Sequence, residues 1–327
     1  MKKRSFGKEG IFISEIGLGC WQLGGSEWGS VSDKEATAIL ETSYENGVTF
    51  YDTADVYGMG RSERLIGEFL KRHRDRVFVA TKVGRTPDLY PNGYTRESVA
   101  KHIDESLKRL GVDCLDLVQT HCVPGELIKS EEIFSWLAEL RQAGKIKRFG
   151  ASVETMAEAL LCLHNDDIYS LQIIFNIFRQ KALEAVLPVA AEKQVGIIVR
   201  LPLNSGMLSG KFNQSSQFDA KDHRNFNKDG DFFYVGETFG GLVFSKGLEL
   251  VEQINSYIPH SMSMAQFALR WCLDQPGVST VIPGATKMEQ ARNNAAVSDL
   301  PSLSSEVLES IASFYHDKVL PHIRGPY

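Results

Sequence analysis

Three apolar runs of this chain each stop on an ionisable residue. "VTFYD" ends on Asp52, "VFVATK" reaches Lys82, and "LVQTH" closes on His121. A tyrosine, Tyr57, follows the first run in the glycine-bounded stretch "TFYDTADVYGMGRSERLIG", residues 49–67. Taken singly, a strand-end aspartate is an ordinary cap and a tyrosine is ordinary packing. Taken together, an ammonium between a carboxylate and a phenol makes a tuned acid. A free tyrosine titrates near ~10, too high to protonate an alkoxide efficiently at neutral pH. An ammonium about 4 Å away, at an effective dielectric of about 20, favours the phenolate by roughly 4 kcal/mol before desolvation subtracts. That predicts Tyr57 with a lowered pKa as general acid, Lys82 as its modulator and Asp52 as the lysine's partner. His121 then donates a hydrogen bond to the same substrate oxygen. The set suits carbonyl reduction. The eight histidines show no H-x-x-x-H spacing, so no metal is expected.

The elements that position these groups repeat along the chain. Short β-prone runs alternate with amphipathic helical segments: "SEIGLGCW", "VTFYDTA", "VFVATKV", "CLDLVQTH", "IKRFGAS", "SLQIIFN", "GIIVRLP" and "VSTVIPG" are the strands. Helical patterns follow at 33–46, 62–72, 95–110, 131–143, 154–164, 181–193, 261–275 and 287–297. Strands returning through helical crossovers pair in parallel. Eight such units predict an α/β fold, a single (β/α)8 TIM-type barrel domain over 1–327. In such a barrel the C-terminal strand ends share one face, so Asp52, Lys82 and His121 should cluster there. Two segments break the alternation. "KKRSFGKEGIFIS" predicts an N-terminal β-hairpin capping one barrel end, and 203–258, after strand seven, predicts a long functional loop or lid.

Composition narrows the class further. The 327 residues carry a formal net charge of −5 and no concentrated basic face, which argues against nucleic acid as a partner. Five cysteines without a C-x-x-C pair read as reduced thiols, and no apolar run reaches membrane-spanning length. A cytoplasmic protein with no membrane partner is expected.

The block "GVTFYDTADVYGMGRSERLIG", followed in order by "ATK" and "QTH", resembles the aldo-keto reductase family over nearly the whole chain. The resemblance implies a tetrad of Asp52, Tyr57, Lys82 and His121 in the roles given above. It also implies a nicotinamide dinucleotide, NADPH with NADH not excluded, bound across the barrel top. Ser152 and Gln172 would hold its carboxamide, Cys20 and Trp21 would sit near the nicotinamide, and Arg200 stands where many relatives stack a tyrosine. "LPLNSGMLSGKF" resembles the pyrophosphate loop, with Leu203, Ser205, Gly206, Leu208 and Lys211 as contacts. "VIPGATKMEQARNN" would supply Gly284, Thr286, Lys287, Gln290, Asn293 and Asn294. At Gly284 and Gln290 many NADPH-specific relatives carry Lys and Arg, so Lys287, Lys211 or Arg224 would grip the 2′-phosphate here.

The expected function is reduction of an aldehyde, ketone or sugar carbonyl, the partner being that small molecule and the chain a monomer. An NAD(P)-linked sugar dehydrogenase and a non-catalytic nicotinamide-binding sensor subunit are the alternatives. Trp28, Tyr90, Phe178 and the 212–247 loop are expected to line the substrate pocket.

Overall fold

A computed structural model of the chain describes residues 1–25 and 31–327. The expected position of Trp28 therefore lies outside the described residues. The eight predicted strands are all present: β3 (Leu18–Gly19), β4 (Phe50–Asp52), β5 (Phe78–Val83), β6 (Leu117–His121), β7 (Phe149–Ser152), β8 (Ser170–Ile174), β9 (Gly196–Arg200) and β10 (Val278–Val281). Each pairs in parallel with its neighbour in sequence. Closure comes from bridges Ile16↔Val281 and Gly19↔Gly284, with the amide of Gly17 donating to the Val281 carbonyl at 2.8 Å. The sheet is thus curled into a barrel, wrapped by helices.

The helices begin where side-chain oxygens replace missing backbone partners. Ser32, Thr95, Thr155 and Ser263 each accept from the amide three residues on, and each cap's own amide donates in return to that residue's side chain. The helix after β7 is capped by Thr155, so Ser152 takes no part in the cap.

The hairpin of β1 (Lys3–Phe6) and β2 (Ile11–Ser14) turns through Gly7 and Gly10, both in the left-handed region. Phe6 and Ile13 pack with Phe50, Ala80, Leu117 and Ile198, of which Phe50 and Leu117 are the first residues of their strands. The hairpin therefore plugs the barrel end opposite Asp52 and His121.

The stretch 203–258 departs from the expected structureless loop. It contains an eleven-residue helix, Phe244–Ile254, that buries Leu248, Leu250, Val251 and Ile254. Phe212, Phe218, Phe239 and Phe244 also form a ring cluster, with centroid separations of 5.0–6.1 Å. The apolar residues Phe244, Leu248, Val251 and Ile254 recur at helical spacing, a signal the loop reading passed over. Phe178 is a further correction: it is fully buried in the core and does not line the pocket, because the turn after β8 folds it inward.

Candidate active site

β4, β5 and β6 are consecutive and in register, with Asp52 opposite Ala80 and Lys82 opposite Gln119. Their C-terminal ends converge on Lys82, which is only 1% exposed. Its Nζ donates to Asp52 Oδ2 at 2.7 Å, to the Thr53 carbonyl at 2.8 Å and to Tyr57 Oη at 3.2 Å. Three acceptors satisfy three N–H groups, and a buried ammonium is tolerable only so. The second oxygen of Asp52 accepts from Gln172 Nε2 at 2.6 Å, and Gln172 Oε1 accepts from Ser152 Oγ at 3.3 Å. The two expected carboxamide ligands are therefore wired to the same carboxylate as the lysine.

Tyr57 is held by shape as well as by hydrogen bonding. Its ring stacks on Trp21 at 5.8 Å and meets the His121 ring edge-on at 5.6 Å. The turn that carries it runs against residue 24 so closely that side chains cannot intervene. A Cβ on Gly58, where φ is +59°, would lie 1.8 Å from the Gly24 carbonyl oxygen. Gly58→Ala should therefore shift the Tyr57 turn and lower Tm more than Gly10→Ala, whose φ is +68° but whose Cβ would meet nothing within 4 Å. The backbone strain common to both is about 1–3 kcal/mol. Equal losses in thermal denaturation would contradict the close-approach argument.

The electrostatics differ from expectation at one point. Burial, then the Asp52 carboxylate, pushes the Tyr57 phenol well above its ordinary value, although Arg200 acts in the opposite sense. The expected lowering by Lys82 is outweighed because the ammonium is neutralised by Asp52 and the ring is dry. His121 moves the other way: burial, followed by Lys82, Arg85 and Arg200, holds it well below the usual imidazole range. It is neutral at pH 7, and its Nδ1 is buried without a partner. A bare lone pair there costs less than a bare N–H, which leaves the proton on Nε2.

A cleft of about 530 Å³ opens over these groups. Of the residues singled out from sequence, Asp52, Tyr57, His121, Trp21, Ser152, Gln172 and Arg200 line it. So do Leu203, Ser205, Gly206, Lys211, Arg224, Gly284, Thr286, Gln290 and Tyr90. Lys82 lies behind the wall, touching the cleft through Tyr57. Cys20, Leu208, Lys287, Asn293 and Asn294 are not among the lining residues. Cys20 is fully buried, its thiol pushed up by burial and by Asp52, and Asn294 Nδ2 donates to the Gly284 carbonyl at 3.3 Å. Gln290 Oε1 accepts from the amides of Thr286 at 2.8 Å and Lys287 at 3.2 Å, so it caps the helix Met288–Ala296 from within.

Sequence reasoning missed a second charged group at the mouth. Arg85 pairs with Glu154, and Arg200 pairs with Glu237 at 2.5 Å. Burial raises Glu154 to about 7 and pushes the neighbouring Cys122 thiol up to about 11. Cys122, Glu154 and Glu237 bring ligand atoms within 4.8 Å of one another, but both carboxylates are already engaged by guanidinium groups. Arg85 and Glu154 lie just beyond strand ends, a signal the strand-end rule could have caught. Glu237 comes from the long segment after β9 and had no such signal.

A parallel barrel with buried lysine, carboxylate and phenol under an open cleft at its C-terminal strand ends is an enzyme's architecture. The family model described as the Aldo/keto reductase family matches residues 15–316, and the chain belongs to that family. It is an NAD(P)H-dependent oxidoreductase in kind. The aldo-keto reductase YhdN of Bacillus subtilis (strain 168) is 31% identical over 297 residues, covering 89% of this chain and 86% of the relative. A probable voltage-gated potassium channel subunit beta of Oryza sativa subsp. japonica is 28% identical, covering 97% of this chain and 98% of its own. Among solved structures, the glycerol dehydrogenase AKR11B4 from Gluconobacter oxydans superposes with a TM-score of 0.78 at 26% identity, covering 99% of this chain and 97% of that one.

Proposed function

We propose that the chain is a one-domain, cytoplasmic, monomeric carbonyl reductase that uses NADPH, with Tyr57 as its general acid. The observation that carries this is the single lysine ammonium bonded at once to Asp52, the Thr53 carbonyl and Tyr57 Oη beneath the cleft. The cleft also suits an elongated dinucleotide. Asn204, Ser205 and Gly206 all have positive φ and turn the backbone tightly along one wall. At Gly284 a Cβ would come within 2.1 Å of Gln22 Oε1, so the glycine lets the Gln22 amide lie against that wall. Ser152, Gln172, Arg200 and Leu203 would face the nicotinamide half, and Ser205, Gly206 and Thr286 the phosphates. The bound cofactor supplies hydride.

The protein's own part is proton placement and orientation. His121 Nε2 donates to the substrate oxygen and holds it beside Tyr57 Oη. As negative charge develops on that oxygen, Tyr57 transfers its proton. The raised pKa makes the phenol a weaker acid than the sequence predicts, so the transfer depends on the basicity of the developing alkoxide. The phenolate left behind meets the Lys82 ammonium at 3.2 Å, a contact made strongest as charge appears. Asp52 keeps that ammonium charged, and Trp21 covers the phenol ring from water.

NADPH is expected to bind more tightly than NADH, through Lys211 and Arg224 in the cleft wall and the neighbouring Lys287. The Arg224 guanidinium lies over the rings of Phe212 and Phe218 and bonds Asp222, which fixes it beside the Gly206 turn. Isothermal titration with both cofactors tests this, and Lys211→Ala should weaken NADPH alone. Equal dissociation constants would remove the preference. The likeness to a glycerol dehydrogenase favours, as a second reading, oxidation of a polyol or sugar through the same residues. The rice subunit keeps a sensor role in view, and absence of turnover would favour it.

A further inference from the structure

His102, in the helix Arg96–Leu110, has a carboxylate at each ring nitrogen. Nδ1 lies 3.1 Å from Asp55 Oδ2, and Nε2 lies 3.0 Å from Asp88 Oδ2. The two acids come from different loops, and both loops line the cleft. Asp55 stands two residues before Tyr57 in the turn after β4, and its amide donates to the Lys82 carbonyl at 3.3 Å. Asp88 belongs to the loop after β5 that brings Arg85 and Tyr90 to the cleft, with the Arg85 guanidinium over the Tyr90 ring at 4.9 Å. The Asp55 side chain is 1% exposed and that of Asp88 62%, with His102 at 8% between them. A carboxylate only accepts, and a neutral imidazole has one N–H and one lone pair. Neutral His102 would therefore set a lone pair against a carboxylate oxygen at one of its two contacts. Only the imidazolium donates to both.

We propose that His102 is a positioning residue: as an imidazolium it clamps the Tyr57 turn to the loop that carries Arg85 and Tyr90, and on losing its proton it releases Asp88 and loosens that loop over the substrate. The kinetic part rests on the carbonyl-reducing reading; the protonation itself does not. The bond to Asp55 outweighs burial and, joined by the bond to Asp88, holds the imidazole above its ordinary value. His102 in turn holds the Asp88 carboxyl below its own. The other ionisable groups nearby have partners or lie in water. On the same helix Asp104 pairs with Lys145, Glu105 pairs with Arg109, and Lys101 is exposed. Beside Asp55, Glu63 of the helix Arg61–His73 pairs with Arg109 at 2.6 Å, and burial raises the Tyr94 phenol. Arg85, on the loop of Asp88, pairs with Glu154. After deprotonation the remaining proton stays on Nδ1, because Asp55 is dry whereas water can meet Asp88. The clamp is therefore complete below about pH 6.5, the ordinary histidine value, and is lost as pH rises through the higher folded value.

The test begins with an NMR titration of isotope-labelled histidine in the full chain, the His102 signal being identified by its loss in His102→Gln. Its midpoint should lie above about 6.5, and Asp88→Asn should lower it. Asp88 is on the surface, so this variant is expected to fold. In steady-state kinetics at saturating NADPH, wild-type KM for a carbonyl substrate should rise about two- to fivefold through the NMR midpoint, the range an exposed ion pair supports. The change in kcat should be smaller. Asp88→Asn should start from the raised KM and show no step there, and Asp88→Glu, which keeps a carboxylate, should restore the step. A wild-type midpoint at or below about 6.5, or one that Asp88→Asn leaves in place, overturns the clamp. So does a wild-type KM without the step, or a step that persists in Asp88→Asn. Where His102→Gln does not fold, the histidine signal moved by Asp88→Asn identifies the residue, and no moved signal overturns the proposal equally. A raised midpoint without any carbonyl turned over would instead sink the carbonyl-reducing reading and leave the imidazolium between the two loops standing.

Discussion

Tyr57→Phe should reduce a reactive aromatic aldehyde about 10²–10⁴-fold more slowly than wild type while binding NADPH almost as well. The change removes one oxygen and keeps the ring. Stacking on Trp21 and the edge contact with His121 do not involve the hydroxyl, so the turn between Gly58 and Gly24 should stay in place. What disappears is the hydroxyl whose oxygen lies 3.2 Å from Lys82 Nζ on a residue that lines the cleft. Fluorescence titration of NADPH and steady-state rates, measured on one preparation, separate the two effects. Loss of binding together with rate would make Tyr57 a structural residue.

The largest combined effect on stability and activity is expected at Lys82. Lys82→Met leaves Asp52, buried and hydrogen-bonded to Gln172, with its charge unbalanced. Breaking a buried pair on one side costs about 3–5 kcal/mol, a large share of a typical domain's stability. Turnover should also fall by orders of magnitude, because burial raises the phenol's pKa and the ammonium is what meets the phenolate. Asp52→Asn with Lys82→Met removes both charges and should recover much of the stability while remaining inactive. Denaturant melts and rates for the single and double variants form the comparison. A double variant as unstable as Lys82→Met alone would show that the lost stability is not a matter of unpaired charge.

The barrel and the clustering of Asp52, Tyr57, Lys82 and His121 were legible because their signals are local. β4, β5 and β6 each read as a short apolar run closed by one ionisable residue, and parallel pairing between consecutive strands brings the ends together. The capping boxes were similarly visible, since Ser32 and Glu35 are only three residues apart. What stayed hidden depends on contacts across the fold. Glu237 reaches Arg200 from 37 residues away, with neither strand periodicity nor a motif to announce it. Phe178 follows a strand as a pocket residue would, but the backbone turns it into the core. Tyr57 shows the limit for electrostatics. Its distance from Lys82 follows from the topology, whereas the dryness that raises its pKa comes from Trp21, His121 and the packed turn around it.

The central claim is that this cleft turns bound NADPH and a carbonyl into alcohol and oxidised cofactor through the Lys82-supported phenol. It is tested most directly by incubating the wild-type protein with saturating NADPH and a panel of aldehydes, ketones and sugars, and quantifying cofactor consumed against alcohol formed. The account predicts at least one substrate converted in equal stoichiometry with NADPH, and a rate that collapses in Tyr57→Phe run alongside. Tight NADPH binding with no alcohol from any carbonyl, or equal rates in the two proteins, would contradict it.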